Sequence, residues 1–409
     1  MMAVWLTWTV AGAGVVGSSL WITHLAHLIR HRKLAVYLAD LESPPTSKSE
    51  GSTVALIVAA RDEAGGVEAA VRSMLAEVES DPQARLIAVD DRSTDGTGAI
   101  LDRLARAHPR LLVVHVAELP DGWLGKNHAL QVGSESPGAD AVWFLFTDGD
   151  VLFQAGAVRK AVAFAEGAGV DQITVAPEVD TRSSGERMFL CLFGLLFSMH
   201  APVGRLGDRR SRAHVGIGPF TLVRAEAFRA IGGFRHLQLS VDEDMRLGQA
   251  LKYAGYSMRL LMGRGAVSFR WQVGTWGMIR GVEKNFFAGL KFQLVKVALA
   301  AAGILVLGVA PFAALFVGPT GTRIIAGAGV GAIVAILAAC GRQSRIGWYY
   351  AFTMPAASVL MLVALGRSVA LPMIRGGVVW RNHLYPLSTL KAHVKERDAW
   401  LEEVWRSTR

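Results

Sequence analysis

Two carboxylates one residue apart, Asp148 and Asp150 in "FLFTDGDVLF", close a run of bulky apolar residues. Buried charge is costly unless something pairs with it; the partner can be a basic side chain, a metal ion or a ligand. Side-chain oxygens at this spacing can hold Mg2+ or Mn2+, ions often shared with substrate phosphates. Taken alone, the D-x-D pattern also fits a solvated turn. It has company. "VDDRSTDGT" brings Asp90 and Asp91, whose oxygens can accept hydrogen bonds from a base or from ribose hydroxyls. Its Ser93, Thr94 or Asp95 suits the N-cap of a following helix. In "PDGWLGKNHAL", Gly125 lets backbone approach a ligand, and Lys126 is either a solvated cation or a point charge for phosphate. "VDEDMRLGQALKYAGY" sets Asp242, Glu243 and Asp244 at the head of a helix. Acids there favour the helix dipole without further purpose, but one held over a pocket can take a proton from an attacking hydroxyl.

The elements that must position these residues run from Thr53 to about Ala266. "TVALIVAA", "ARLIAVDD", "RLLVVHVA" and "AVWFLFTD" are short apolar, β-branched runs of the kind that form buried strands. "GGVEAAVRSMLAEVES", "TGAILDRLARAH" and a segment around "NHALQVGSES" carry helical spacing between them. Strands alternating with helices at this pace predict βαβ units and a mostly parallel, Rossmann-like α/β sheet. Such sheets bind ligands at the carboxyl ends of their strands, where "AARDEA", "DDRSTDGT" and "DGD" fall.

Of 409 residues, 52% are hydrophobic and 19% charged, with a formal net charge of +9. That mixture fits a soluble domain joined to membrane segments. The Lys and Arg residues form no long run, which argues against nucleic acid as a partner. Two cysteines, Cys191 and Cys340, both in apolar stretches, allow neither a disulfide framework nor a zinc site.

Met1 to Ile29 lacks Asp, Glu, Lys and Arg and is followed by "RHRK". Its length predicts a spanning helix, with the residues from Arg30 onward cytoplasmic. A cleaved signal peptide fits less well, because the basic residues follow the apolar run. Val297 to Thr322, Ile324 to Gly341 and Ile346 to Gly366 are also free of charge. The first is expected to span, and the second, rich in Gly and Ala, to pack on a neighbouring helix. Three spans would leave the tail outside. Its basic, amphipathic "RGGVVWRNHLYPLSTLKAHVKERDAW" favours the cytoplasm, so one segment is expected to be re-entrant or paired. Met188 to Gly204 reads as an interfacial or core helix rather than a span. The expected division is 1–29 spanning helix, 30–52 basic flank and linker, 53–268 catalytic domain, 269–294 interfacial segment, 295–370 membrane helices and 371–409 amphipathic tail. The expected setting is a multi-pass cell-membrane protein with a cytoplasmic catalytic domain.

The order "VAARDEA", "VDDRSTDGT", "DGD", "GGF", "DEDMRLG" resembles glycosyltransferase family 2 on the GT-A fold, over roughly Thr53 to Asn285. "GWLGKNHA", "GPFTLVRAEAFRAIGGF", "SFRW", "GVEKN" and "VVWRNHLY" are similar to membrane members acting on lipids, above all the carotenoid-acid type, with ceramide and hopanoid-associated enzymes further off. The resemblance implies an inverting, divalent-metal-dependent transfer of a hexose from a nucleotide diphosphate sugar to a lipid at the bilayer. By the same resemblance Ala60, Arg61, Asp62 and Glu63 line the nucleotide pocket, and Asp90 and Asp91 contact base or ribose. Asp148 and Asp150 take nucleotide and metal, Asp150 more directly. Asp244, beside Glu243, becomes the general base. Gly218 and the turn Gly232, Gly233, Phe234 would shape the acceptor side. The "QxxRW" motif of many processive members is missing, which counts against a polymer-making synthase. Gly281, Glu283, Lys284 and Asn285 sit where relatives have a Gly-Trp-x-Lys element, with Val282 in place of the Trp. Arg270, Trp271, Trp276, Arg280 and Lys284 remain candidates for diphosphate or acceptor contacts. Two other functions fit the same residues: charging of a polyprenyl phosphate, and a membrane-anchored nucleotide-sugar-binding subunit without turnover.

Overall fold

The computed structural model describes residues 2–42, 53–381 and 383–409; the expected linker, from residue 43 to 52, lies outside them. The chain divides into two compact units. A sheet unit takes Ala35–Asp180, Val203–Arg270 and Ala392–Arg409. A helical unit takes Met1–Leu34, Thr181–Pro202 and Trp271–Lys391.

The strands of the sheet unit are, in chain order, β1 (Val36–Tyr37), β2 (Val54–Ala60), β3 (Ala84–Asp91), β4 (Leu111–Val116), β5 (Trp143–Asp148), β6 (Val151–Phe153), β7 (Gln172–Ala176), β8 (Glu178–Val179), β9 (Thr221–Arg224), β10 (Met258–Met262) and β11 (Val267–Phe269). Eight of them form one sheet in the order β1-β10-β7-β9-β5-β2-β3-β4. Only β9 runs antiparallel to its neighbours, β5 and β7. The central strands are apolar on both faces because both faces are covered. On one side lie Val67, Ala70, Val71 and Met74 of the Val67–Glu79 helix, with Ala157, Ala161 and Ala165 of the Ala157–Ala168 helix. On the other lie Ala129 and Leu130 of the Gly125–Glu135 helix, Leu247, Ala250 and Leu251 of the Glu243–Tyr253 helix, and Leu401 and Trp405. The result is the three-layer α/β architecture that the alternating pattern predicts.

Register places the chemistry. Ala60 pairs with Asp90 across β2 and β3, and Ala59 pairs with Asp148 across β2 and β5. Three strands therefore end level, and their polar residues line one rim. A small second sheet, β6-β11-β8, begins immediately after Asp150. Gly149 turns the corner so close to β2 that even a Cβ there would touch that of Ala60 at 3.5 Å.

The end of the expected amphipathic tail, residues 392–409, belongs to the sheet unit. Leu401 and Trp405 put the apolar stripe of the Leu387–Ser407 helix into the core beside the sheet.

Among the described residues, four helical segments are long and apolar enough to cross a membrane: Val4–Arg30, Ser184–Leu206, Thr320–Gly341 and Trp348–Arg375. The second takes in Met188 to Gly204, expected as an interfacial or core helix; by length and composition it could also span. A correction concerns Val297 to Thr322, which is not one helix. Leu294–Gly308 stops after 15 residues, Ala310–Ala313 follows, and Thr320–Ser344 starts anew. Pro311 lacks the N–H a continuing helix needs, and Gly318, at φ +85°, precedes Pro319. Small residues allow tight packing here, as expected of the Gly/Ala-rich segment: Gly329 leaves no room for a Cβ beside Ser18. The indole of Trp21, fully buried, donates to the Leu307 carbonyl at 2.8 Å.

Candidate active site

The first two rim loops are stapled together. The Asp62 carboxylate accepts the Thr94 N–H at 2.8 Å, and the Asp62 N–H donates to the Ser93 hydroxyl at 3.1 Å. The Glu63 N–H donates to Thr97 Oγ1 at 2.8 Å, and the Ala64 N–H to Asp95 at 2.9 Å. Asp62 adopts φ +52° and Arg92 φ +58° to make the turns meet. Ser93, Thr94 and Asp95 thus serve the neighbouring loop as much as the helix that follows. The N-cap position of that helix falls to Gly96, at φ +94°, while Asp95 accepts the Thr97 N–H at 3.0 Å.

Asp91 is buried and engaged by two guanidinium groups. Arg92 donates through Nε at 2.7 Å and Nη2 at 3.2 Å, and Arg61 through Nη1 at 3.4 Å. The Asp91 carboxylate lies against Gly125, the first residue of the Gly125–Glu135 helix, where no side chain would fit. A carboxylate at a helix N-terminus is favoured by the dipole. Asp90 faces elsewhere. It accepts the Ser93 N–H at 3.2 Å and meets His115 Nδ1 at 2.9 Å. His115 also reaches Asp102 at 3.0 Å, and the two acids, Asp102 first, raise its pKa above the usual imidazole value.

The centre of the cluster is Lys126. Its ammonium lies 2.5 Å from Asp148 Oδ1 and 2.7 Å from Glu243 Oε1. Burial works against its charge, but Asp148, Glu243 and Asp244 together hold it protonated well above the ordinary lysine range. The second Asp148 oxygen lies beside Gly218, where an added Cβ would stand 2.9 Å from it, 3.2 Å from the Lys126 nitrogen and 3.5 Å from Asp244 Oδ2. Asp244 accepts the Gly218 N–H at 2.7 Å through Oδ2 and the Met245 N–H at 2.7 Å through Oδ1. Burial, then the adjacent charge of Glu243, pushes its carboxyl up to about 7. Asp150 is pushed up to about 6, first by burial and then by the like charges of Asp148 and Glu63.

These acids suit a divalent cation. Around Asp150, carboxylates repel one another with too little positive charge among them, and their oxygens are the donors Mg2+ and Mn2+ prefer. Among the described residues no three His, Cys, Asp or Glu side chains form a ready-made metal cage. One or two carboxylates are what a site uses when substrate phosphates complete the shell.

Two supporting residues carry no local sign of their role. Asn127, fully buried, donates to the carbonyls of Leu237 at 2.7 Å and Ser240 at 3.0 Å, fixing the loop that leads into Asp242. Arg397, 1% exposed, comes from the tail helix to lie 3.9 Å from Asp242, which Arg246 already pairs at 2.7 Å. The two arginine charges outweigh burial and hold the Asp242 carboxyl below the usual range.

Several expected residues lie apart from this cluster. Gly232 and Gly233 make a left-handed turn, at φ +79° and +65°, in which Gln131 accepts the Phe234 N–H at 2.7 Å. Phe234, 1% exposed, packs on Phe146 and Phe228. It is core, and with Gly233 offers an acceptor no face. Arg270 donates to the Asp180 carbonyl at 2.7 Å. Trp271 belongs to the helical unit, against Phe193. In that unit Arg280 and Arg367 both lie over Trp276, and Lys284 lies 3.5 Å above the Trp380 ring.

Comparison with known proteins bears on this geometry. A family profile described as "Glycosyltransferase like family 2" matches residues 51–270, more than half of the chain. The chain is 28% identical over 243 residues to the succinoglycan biosynthesis protein ExoA of Rhizobium meliloti, covering 56% of this chain and 69% of that one. It is 28% identical over 226 residues to a beta-monoglucosyldiacylglycerol synthase of Synechocystis, covering 50% of this chain and 43% of that longer protein. Among solved structures, a mannosyltransferase of Pyrobaculum calidifontis in complex with GDP-Man and Mn2+ superposes with a TM-score of 0.50 at 15% identity, covering 89% of this chain and 99% of that one. At that identity the likeness speaks for the fold.

Proposed function

The chain belongs to glycosyltransferase family 2, and from that premise we propose that it moves a hexose from a nucleotide diphosphate sugar to a membrane lipid, with inversion and with help from Mg2+ or Mn2+. The observation that carries the reading is the convergence of Asp148, Lys126 and Asp244 about Gly218 at the ends of the parallel strands. The name of one relative, a beta-monoglucosyldiacylglycerol synthase, supports a lipid acceptor; that of the other, a succinoglycan biosynthesis protein, names no lipid.

Under this reading Asp150 and Asp148 would hold the cation, which supplies charge neutralisation for the departing diphosphate. Asp91, with Arg61 and Arg92 locked on it, forms the base and ribose side of the pocket. Lys126 adds a point charge toward phosphate. Asp244 is held by two backbone N–H groups, so its carboxylate cannot swing away. It takes the proton of the acceptor hydroxyl as that oxygen bonds to the anomeric carbon and the bond from that carbon to the diphosphate oxygen breaks. A pKa near the working pH is what a general base needs. Glu243 is spent on Lys126, so adjacent acids divide the labour.

Membranes containing the protein, given labelled sugar nucleotides and a lipid extract, should yield an acid-stable labelled glycolipid. A product joined through acid-labile phosphate would instead make it a polyprenyl-phosphate synthase. Nucleotide binding with no labelled lipid from any extract would reject transfer altogether.

A further inference from the structure

We propose that Lys126 is a tethered cation that blocks the metal seat until a nucleoside diphosphate arrives, so that the metal binds tightly only with or after the nucleotide. The proposal rests on the nucleotide-sugar reading above and concerns the order in which that pocket fills.

The argument starts from the Asp148 oxygens. Oδ1 is committed to Lys126 at 2.5 Å, while Oδ2 faces Gly218 in a side chain that is 30% exposed. The same ammonium is anchored by Glu243 at 2.7 Å, a residue 5% exposed. A positive charge thus already occupies the space between the acids of β5 and those heading the Glu243–Tyr253 helix. With one Asp148 oxygen taken, the D-x-D pair grips a divalent ion less well, and nearby Lys126 repels it. Lysine is suited to such a part: a compact charge on a flexible four-carbon stem that can turn without backbone movement. A diphosphate brings several negative oxygens into the pocket. It can draw the ammonium off Asp148 and itself furnish metal ligands, so one arrival frees a carboxylate and completes the coordination shell. The negative charge of Asp148 and Glu243 is met first by Lys126 and then, at Asp148, by the ion. Uncompensated buried carboxylates would be costly.

The test is Mn2+ binding, measured on the purified full chain by the paramagnetic resonance signal of free Mn2+, with and without UDP or GDP as the diphosphate probe. Wild type should bind Mn2+ weakly alone and at least about tenfold more tightly with the diphosphate. Lys126→Met keeps the stem and removes the charge; it should bind Mn2+ without nucleotide at least about tenfold more tightly than wild type. Mn2+ alone should raise its melting temperature but leave that of wild type unmoved. Lys126→Arg, which keeps the charge, should retain the dependence on nucleotide. A folded Lys126→Met protein that binds diphosphate but holds Mn2+ no better than wild type would overturn the gate and leave the transferase reading standing. A wild type that binds Mn2+ but neither UDP nor GDP would overturn both.

Discussion

Asp244 receives the Gly218 amide N–H at 2.7 Å, and the same glycine leaves Asp148 Oδ2 and Lys126 no room for a methyl group between them. One backbone position therefore sets the spacing of the proposed base, the lysine and the first acid of the "DGD" turn. Gly218→Ala places a Cβ 2.9 Å from Asp148 and 3.2 Å from Lys126. Both neighbours are charged and anchored, so the cost falls on the geometry of the acids. Transfer should drop at least about tenfold, as displacements of catalytic groups do, with little change in melting temperature. Full activity in Gly218→Ala would show that this spacing does not matter.

Asp244→Asn keeps the shape and, having one acceptor oxygen, one of the two backbone contacts, but cannot accept a proton. Turnover on a hydroxyl acceptor should fall ~10²–10⁴-fold, the usual worth of a general base, while calorimetry finds nucleotide binding nearly intact. A variant retaining more than half the activity on such an acceptor would remove Asp244 from its assigned role.

The pH dependence follows from the Asp244 carboxyl being pushed up to about 7 by burial and by Glu243. Its proton-accepting form is scarce below that value and dominant above it, so kcat/KM, which reports the free enzyme, should rise as pH increases through about 7 and then level off. An acceptor that is itself a carboxylate has no proton to lose, and its profile should lack the step. For the fold the sign is opposite. A carboxyl raised above its unfolded value near 4 favours the native state when protonated, and that contribution fades as pH rises through about 7. A kcat/KM profile for a hydroxyl acceptor without an inflection there would argue against Asp244.

Asn127 donates to the Leu237 and Ser240 carbonyls from a fully buried position. Asn127→Ala leaves those acceptors unmet, at a cost of about 1–3 kcal/mol. The loop it holds leads into Asp242, so kcat should fall together with stability. Denaturant unfolding and steady-state kinetics on one preparation check both; a stable variant with normal kcat would mean the loop holds itself.

Arg397→Met removes one of two cations from the partly buried Asp242. Since Arg246 remains at 2.7 Å, the loss should sit nearer 1 than 3 kcal/mol. Combining it with Arg246→Met should cost more than the sum of the two, because only then is the carboxylate left bare. Simple additivity would show that Arg397 does not act through Asp242.

The interior strands were legible because a parallel strand covered on both faces is a continuous apolar run, as in "TVALIVAA" and "AVWFLFTD". The rim acids were legible for the complementary reason: polar residues cannot continue such a run, so Asp91 and Asp148 mark where it ends. Edge strand β1 has only two residues and no pattern to announce it. Phe234 was misread because a "GGF" turn looks alike whether its aromatic faces solvent or core. Asn127 and Arg397 were missed because their partners are distant in sequence: Asn127 and Leu237 stand 110 positions apart. Lys126 was noted for its charge, but nothing local shows that it bridges two acids from separate elements. In the helical unit, charge-free length alone concealed the break at Pro311 and Gly318.

Leu401 and Trp405 share a core with Ala55 and Ile57, more than three hundred positions earlier in the chain. An excised fragment ending at residue 270, where the family match stops, would expose the wall these two side chains cover and lose the Arg397 counter-charge. Such a piece is poised to clump rather than fold, however complete its motifs look on paper. Supplying residues 392–409 as a separate peptide would restore the missing wall and reveal whether the break in the chain alone was at fault.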